Sequence, residues 1–87
     1  MYKANIHIKL RPSILDPQGK AVHHALESLG FDSVESVRMG KYVEMWVDER
    51  TEDDARRVAT EACERLLANQ VMEDFEIILE IAAAEAV

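Results

Sequence analysis

Apolar and polar residues alternate over residues 2–11, 42–48 and 75–81, and two stretches with helical spacing lie between these runs. With a short alternating segment at 36–39, they predict an α+β domain ordered strand, helix, strand, strand, helix, strand. That order is the ferredoxin-like βαββαβ pattern, an antiparallel four-stranded sheet with two helices on one face. The expected spatial order of the strands is fourth, first, third, second.

In the first strand Tyr2, Ala4, Ile6, Ile8 and Leu10 point one way, and Lys3, Asn5, His7, Lys9 and Arg11 the other. Pro12 stops it. Asp16-Pro17 opens the first helix: an Asp carboxylate accepts orphan backbone N–H bonds, and Pro at the first position gives up only an unused donor. Ala21, Val22, Ala25, Leu26 and Leu29 form its apolar stripe, and Gly30 is the expected stop. Gly19 is a poor helix former, either tolerated there or required by the close approach of another backbone.

Val37 and Met39 share one face of the expected second strand, Ser36 and Arg38 the other. Gly40-Lys41 leaves room only for a tight hairpin. The return strand turns Val43, Met45 and Val47 inward and Tyr42, Glu44 and Trp46 outward. Thr51 caps the second helix, with Glu52, Asp53 and Asp54 against the positive end of its dipole. Ala55, Val58, Ala59, Ala62, Leu66 and Leu67 form its stripe, and Asn69 is expected to end it in the left-handed conformation. Phe75, Ile77, Leu79 and Ile81 alternate in the last strand. One domain is expected over 1–82, followed by an Ala-rich tail at 83–87.

The 87 residues leave room for one small domain, of a size that association often helps to stabilise. Residues 1–47 hold six Lys/Arg against five Asp/Glu, whereas residues 48–87 hold four against twelve. The acidic half argues against nucleic acid as a partner, since backbone binding needs clustered cations. Without an apolar run of spanning length, no membrane partner is expected. The lone Cys63 makes no internal disulfide, and a reducing cytoplasm fits this usage.

Chemistry-bearing constellations are few. His23-His24 point about 100° apart on a helix and do not chelate one ion, so exposed histidines are expected there. Cys63, beside an apolar stripe, is expected to be a buried, inert thiol. The acidic run from Asp48 to Asp54 lacks the spacing of a calcium loop. Neither a phosphate-cradling Gly loop nor a hydrolase or metalloprotease motif is present. No active site, cofactor site or metal site is therefore assigned to the chain itself. An open sheet face carrying Tyr42, Trp46 and Ile78 suggests self-association, because Tyr and Trp favour interface cores. An ACT-like domain, sensing a small ligand at a sheet interface, is the alternative reading.

Four segments carry a family resemblance: Leu15-Asp16-Pro17-Gln18-Gly19 with Ala21 and Ala25-Leu26; Val37-Arg38-Met39-Gly40-Lys41; Glu64-Arg65-Leu66-Leu67-Ala68-Asn69; and Val71-Met72-Glu73-Asp74-Phe75. In order and at this spacing they resemble PurS, the small subunit of bacterial and archaeal phosphoribosylformylglycinamidine (FGAM) synthase. The likeness runs from residue 2 to about residue 81. It departs at Met72, at Arg11-Pro12 and at the overrunning 83–87.

The resemblance implies a non-catalytic subunit, a homodimer or tetramer, in an ATP- and glutamine-dependent ligase complex. Such a subunit bridges a PurL-like synthetase, which holds ATP and Mg, and a PurQ-like glutaminase, and it supports ammonia passage between them. Family-matching polar residues at loops and helix ends become candidate partner contacts: Asp16, Gln18, Arg38, Lys41, Asn69, Glu73 and Asp74. Capping accounts for Asp16 and Asn69 equally well; the cations Arg38 and Lys41 at the expected hairpin favour recognition.

Overall fold

A computed structural model describes residues 1–83 of the chain. Three strands form one antiparallel sheet: β1 Tyr2–Leu10, β2 Gly40–Val47 and β3 Glu73–Ile81, in the spatial order β2-β1-β3. This keeps the first, third and fourth places of the expected order. The fourth strand is missing among the described residues: 34–39 carry no strand assignment and run straight into β2. Gly40 and Lys41, expected as a hairpin turn, instead lie opposite Lys9 and Ile8 in the ladder. The tail at 84–87 lies outside the described residues.

The period-two reading of β1 holds. Ala4, Ile6 and Ile8 are fully buried, against Ala59 and Cys63 of the second helical segment and Ala68 beyond it. Val43 and Met45 of β2 and Phe75, Ile77 and Leu79 of β3 flank them, half-buried. Small residues on the helix let it lie close to the sheet, which is where the core sits.

Helix α2, Glu52–Ala62, starts at Thr51, whose hydroxyl accepts from the Asp54 N–H at 3.1 Å. It continues as a π-helical turn, Cys63–Leu67. The wider turn changes the phase of the stripe. Cys63 stays inside, whereas Leu66, expected within the stripe, points to solvent. Asn69 does not take the left-handed conformation, since only Gly30 has a positive φ among the described residues. It ends the segment differently: its side-chain oxygen accepts from the N–H groups of Val71 at 3.0 Å and Met72 at 3.3 Å.

Helix α1, Pro17–Ser28, departs most from expectation. Both of its ends are as expected. Asp16 caps the start, and Gly30 (φ +94°) ends it with Gly30 N–H to Glu27 O and Phe31 N–H to Leu26 O bonds. Yet the helix does not lie on the sheet, and Ala21, Val22, Ala25 and Leu29 are exposed. It packs instead against residues 34–37, through Gly19 at Val37 and His23 at Val34. Residues 11–39 thus project as an arm. The radius of gyration is 16.5 Å, whereas about 12 Å is usual for a compact chain of this length.

Candidate interaction surface

The base of the arm is built around Asp16, which is 5% exposed. Its carboxylate accepts from the Gly19 N–H at 2.9 Å and from the Met39 N–H at 2.7 Å. These bonds, with the Arg38 charge nearby, hold its carboxyl below the usual carboxylate range. A side chain at Gly19 would collide with the Val37 carbonyl and lie 2.6 Å from Asp16 Oδ2. The close backbone approach, one of two readings of Gly19, is the one found. Arg38 spans both roots of the arm, donating to the carbonyls of Arg11 (2.9 Å), Ile14 (3.1 Å) and Leu10 (3.4 Å).

A second cluster joins β2, β3 and the end of the π-helical turn. Lys41 Nζ donates to Leu67 O at 3.3 Å and to Glu73 Oε1 at 3.4 Å. The same Glu73 oxygen accepts from the Asn69 N–H at 2.7 Å. Asp74 accepts from Arg11 Nε at 3.1 Å, and Gln18 is exposed in the first turn of α1. The seven candidates therefore fall into three groups: Asp16, Gln18 and Arg38 at the arm; Lys41, Asn69 and Glu73; and Asp74 with Arg11. Arg38 and Lys41 do not form the expected pair of hairpin cations, because there is no hairpin.

Arg11, the last outward residue of the alternating run, makes a contact that sequence spacing does not by itself reveal. It donates to Gln70 O at 2.6 Å and so ties the end of β1 to the approach to β3. Its place after the last apolar strand residue was the available signal. His23, expected to be exposed, is half-buried with Nε2 2.7 Å from Val34 O and 3.3 Å from Glu27 Oε1. The extended run at 34–37 that covers it left no helical or strand period to reveal the contact.

On the open face of the sheet the Tyr42 hydroxyl donates to Asn5 Oδ1 at 2.7 Å, and its ring lies 4.9 Å from that of His7. Lys3 bridges Glu44 of β2 and Glu80 of β3, and its ammonium lies 5.4 Å from the centre of the Trp46 ring. The Glu44 hydrogen bond, ahead of the burial that opposes it, raises the Lys3 pKa. Lys9 lies opposite Asp74, and Glu76 opposite His7. Tyr42 and Ile78 are exposed, whereas Trp46 is half-buried with an indole N–H that has no partner.

A groove of about 660 Å³ runs between this face and residues 38–39, lined by the cations Lys9, Arg38 and Lys41, the anions Asp74 and Glu76, and the rings of His7 and Tyr42. Its polar groups alternate in sign and include no nucleophile held by a base. No group of three or more His, Cys, Asp or Glu side chains suited to a metal ion occurs among the described residues. Cys63 is buried, and burial, with a smaller contribution from the Glu64 charge, raises its pKa.

Fold and surface together define a small α+β domain with a projecting arm. The family profile described as PurS, phosphoribosylformylglycinamidine (FGAM) synthase, matches residues 3–81, and the chain belongs to that family. It is 44% identical over 85 residues to the Bacillus subtilis FGAM synthase subunit PurS, covering 98% of this chain and all of that one. The corresponding Methanocaldococcus jannaschii subunit is 38% identical over 92% of this chain and 96% of its own length. Among solved structures, B. subtilis PurS superposes with a TM-score of 0.84 at 44% identity, over 93% of this chain and all of that chain. A chain from the structure of PurLQS from Thermotoga maritima does so with a TM-score of 0.84 at 28% identity, over 91% and 96%.

Proposed function

We propose that this chain is the small, non-catalytic subunit of an FGAM synthase in de novo purine biosynthesis. It joins a PurL-like synthetase to a PurQ-like glutaminase and supports transfer of ammonia between them. The observation that carries this reading is the end-to-end likeness to curated PurS subunits, together with the structural likeness to a chain from PurLQS. In that role the chain works as a homodimer or tetramer in the cytoplasm. ATP and Mg belong to the synthetase, and this subunit holds neither. The ACT-like alternative has no comparable support.

Among the candidate contacts, Gln18, Lys41 and Asp74 keep the most accessible polar groups for a partner. Asp16, Arg38, Asn69 and Glu73 are engaged within the chain and shape the surface from beneath. Tyr42 and Ile78 are the exposed candidates for self-association on the open sheet face, near Asn5, and Trp46 lies four residues farther along β2 beyond Glu44. Mixing the chain with its own synthetase and glutaminase, and following glutamine-dependent amidine formation, tests the assignment. Activity is expected to require all three proteins; full glutamine-dependent turnover without this chain would refute it.

A further inference from the structure

We propose that the groove beside residues 38–39 binds a nucleoside monophosphate. The phosphate lies among Lys9, Arg38 and Lys41, and the base lies against the rings of Tyr42 and His7. The inference goes beyond the subunit role and does not rest on it, because the site is built from this chain alone.

Strand register gives the groove two unlike ends. On the open face the ladder sets out two rows, Tyr42–His7–Glu76 and Gly40–Lys9–Asp74. The first row is aromatic: the His7 and Tyr42 rings lie 4.9 Å apart, and both residues are exposed. An exposed ring face is a platform for a planar base, a contact worth about tenfold or more in affinity. The second row lacks a side chain at Gly40. A Cβ there would stand 2.8 Å from the Ile8 carbonyl and 3.3 Å from the Lys9 Cβ, so the place beside Lys9 stays unfilled. The resulting space of about 660 Å³ is of small-molecule size.

Charge marks the second end as an anion site. The chain carries a net charge of −7, yet three cations face two anions in this groove. Asp74 is already paired with Arg11. Among the described residues Lys9, Arg38 and Glu76 form no ion pair. Arg38 spends both terminal nitrogens on neutral carbonyls, which leave its charge uncancelled. Lys41 meets one carboxylate, that of Glu73, and stays exposed. Two uncancelled cations match a single phosphate dianion, bound through charge-assisted hydrogen bonds. A triphosphate would exceed them, so the groove is distinct from a site for ATP. Glu76, opposite His7 in the aromatic row, is the acceptor for a ribose hydroxyl or an exocyclic amine.

Equilibrium dialysis and NMR mapping of amide shifts on the full chain at low salt test the site, with AMP and GMP as probes. Saturable binding below millimolar concentration is expected, with the shifts gathered at residues 7–9, 38–42 and 74–76. Adenosine lacks the phosphate, and ribose 5-phosphate and inorganic phosphate lack the base; each is expected to bind at least about tenfold more weakly than AMP. Lys9→Ala and Tyr42→Leu are each expected to lower AMP affinity about tenfold or more. Lys20→Ala, at an exposed α1 lysine outside the groove, is expected to bind as wild type does. Tyr42 is also a candidate for self-association, so light scattering accompanies each variant and is expected to show an unchanged mass.

No saturation by either nucleotide below about 5 mM overturns the proposal. So does inorganic phosphate or ribose 5-phosphate binding as tightly as AMP, or a shift map centred elsewhere. A folded Lys9→Ala variant of wild-type affinity overturns it as well, as do losses confined to variants whose mass changes. Should a variant fail to fold, the wild-type shift map and the ligand series decide alone.

Discussion

The Asp16 carboxylate accepts a hydrogen bond from the Met39 N–H at 2.7 Å, fastening the start of α1 to the residue that precedes β2. One buried carboxylate thus caps a helix and closes the arm at its root. Its pKa is lowered, first by the Gly19 N–H bond and then by that of Met39, from an ordinary value of 3.8. A lowered folded-state pKa means that the charged form adds stability above the unfolded value, and that this stability is lost as pH falls through the folded value. Asp16→Asn keeps one acceptor oxygen but not the charge. It is expected to lower the Tm by roughly 5 °C at neutral pH. The gap to wild type should narrow as melts are taken below about pH 4. A gap that widens towards acid would contradict this assignment.

Gly19→Ala reverses the usual sign of a helix substitution. In an open helix that change gains about 0.5–1 kcal/mol from propensity. Here the new methyl meets the Val37 carbonyl and the Asp16 carboxylate, which have no room to retreat without loosening the arm. A net loss of about 1–3 kcal/mol is expected in urea unfolding, as for other overpacked sites. A stabilised Gly19→Ala variant would show that residues 34–37 do not hold this position against the helix.

Much of the fold was legible in the sequence because each element announces itself locally. Alternation placed Ala4, Ile6 and Ile8 in the core, and the caps at Asp16, Thr51 and Gly30 are where their chemistry puts them. What was not legible is how far the chain travels between elements. The run Val37 to Tyr42 has strand composition whether it turns at Gly40 or passes straight through it. Likewise the spacing of the α1 stripe predicts an apolar face but not where the helix goes, and in the structure Ala21, Val22, Ala25 and Leu29 are exposed. The π-helical turn shifted Leu66 outward for a reason no period-3.6 reading contains. At the candidate surface, the resemblance pointed to Arg38, Lys41 and Glu73. Their partners across the fold, Arg11, Ile14 and Leu67, are set by tertiary approach and left no signal in spacing.

Arg38 makes three bonds to carbonyls of the arm's other root, and its planar fork is what allows one side chain to reach them all. Arg38→Ala is expected to cost about 1–2 kcal/mol and to raise amide exchange at residues 11–16 first. Arg38→Lys should recover less than half of the loss, since an ammonium cannot satisfy three spread acceptors. Lys41→Ala, by contrast, removes an exposed pair and one carbonyl contact, for a cost of about 0.5 kcal/mol. Full rescue by Arg38→Lys in exchange and urea measurements would show that charge alone matters at this position.

Cys63 lies wholly out of solvent between α2 and β1, packed with Ala4, Ile6, Ile8 and Ala59. Burial, more than the neighbouring Glu64, raises its pKa from the ordinary 9.0 and disfavours the reactive thiolate. A maleimide at neutral pH should therefore label the native chain at least about a hundredfold more slowly than the unfolded one, through opening of the core. Cys63→Ser places a hydroxyl among apolar neighbours and is expected to cost about 1–3 kcal/mol, more than Cys63→Ala with its small cavity. Equal labelling of native and unfolded protein would require α2 to stand off the sheet. In that case the serine variant should also unfold at the same urea concentration as wild type, so the two measurements check one geometry from independent directions.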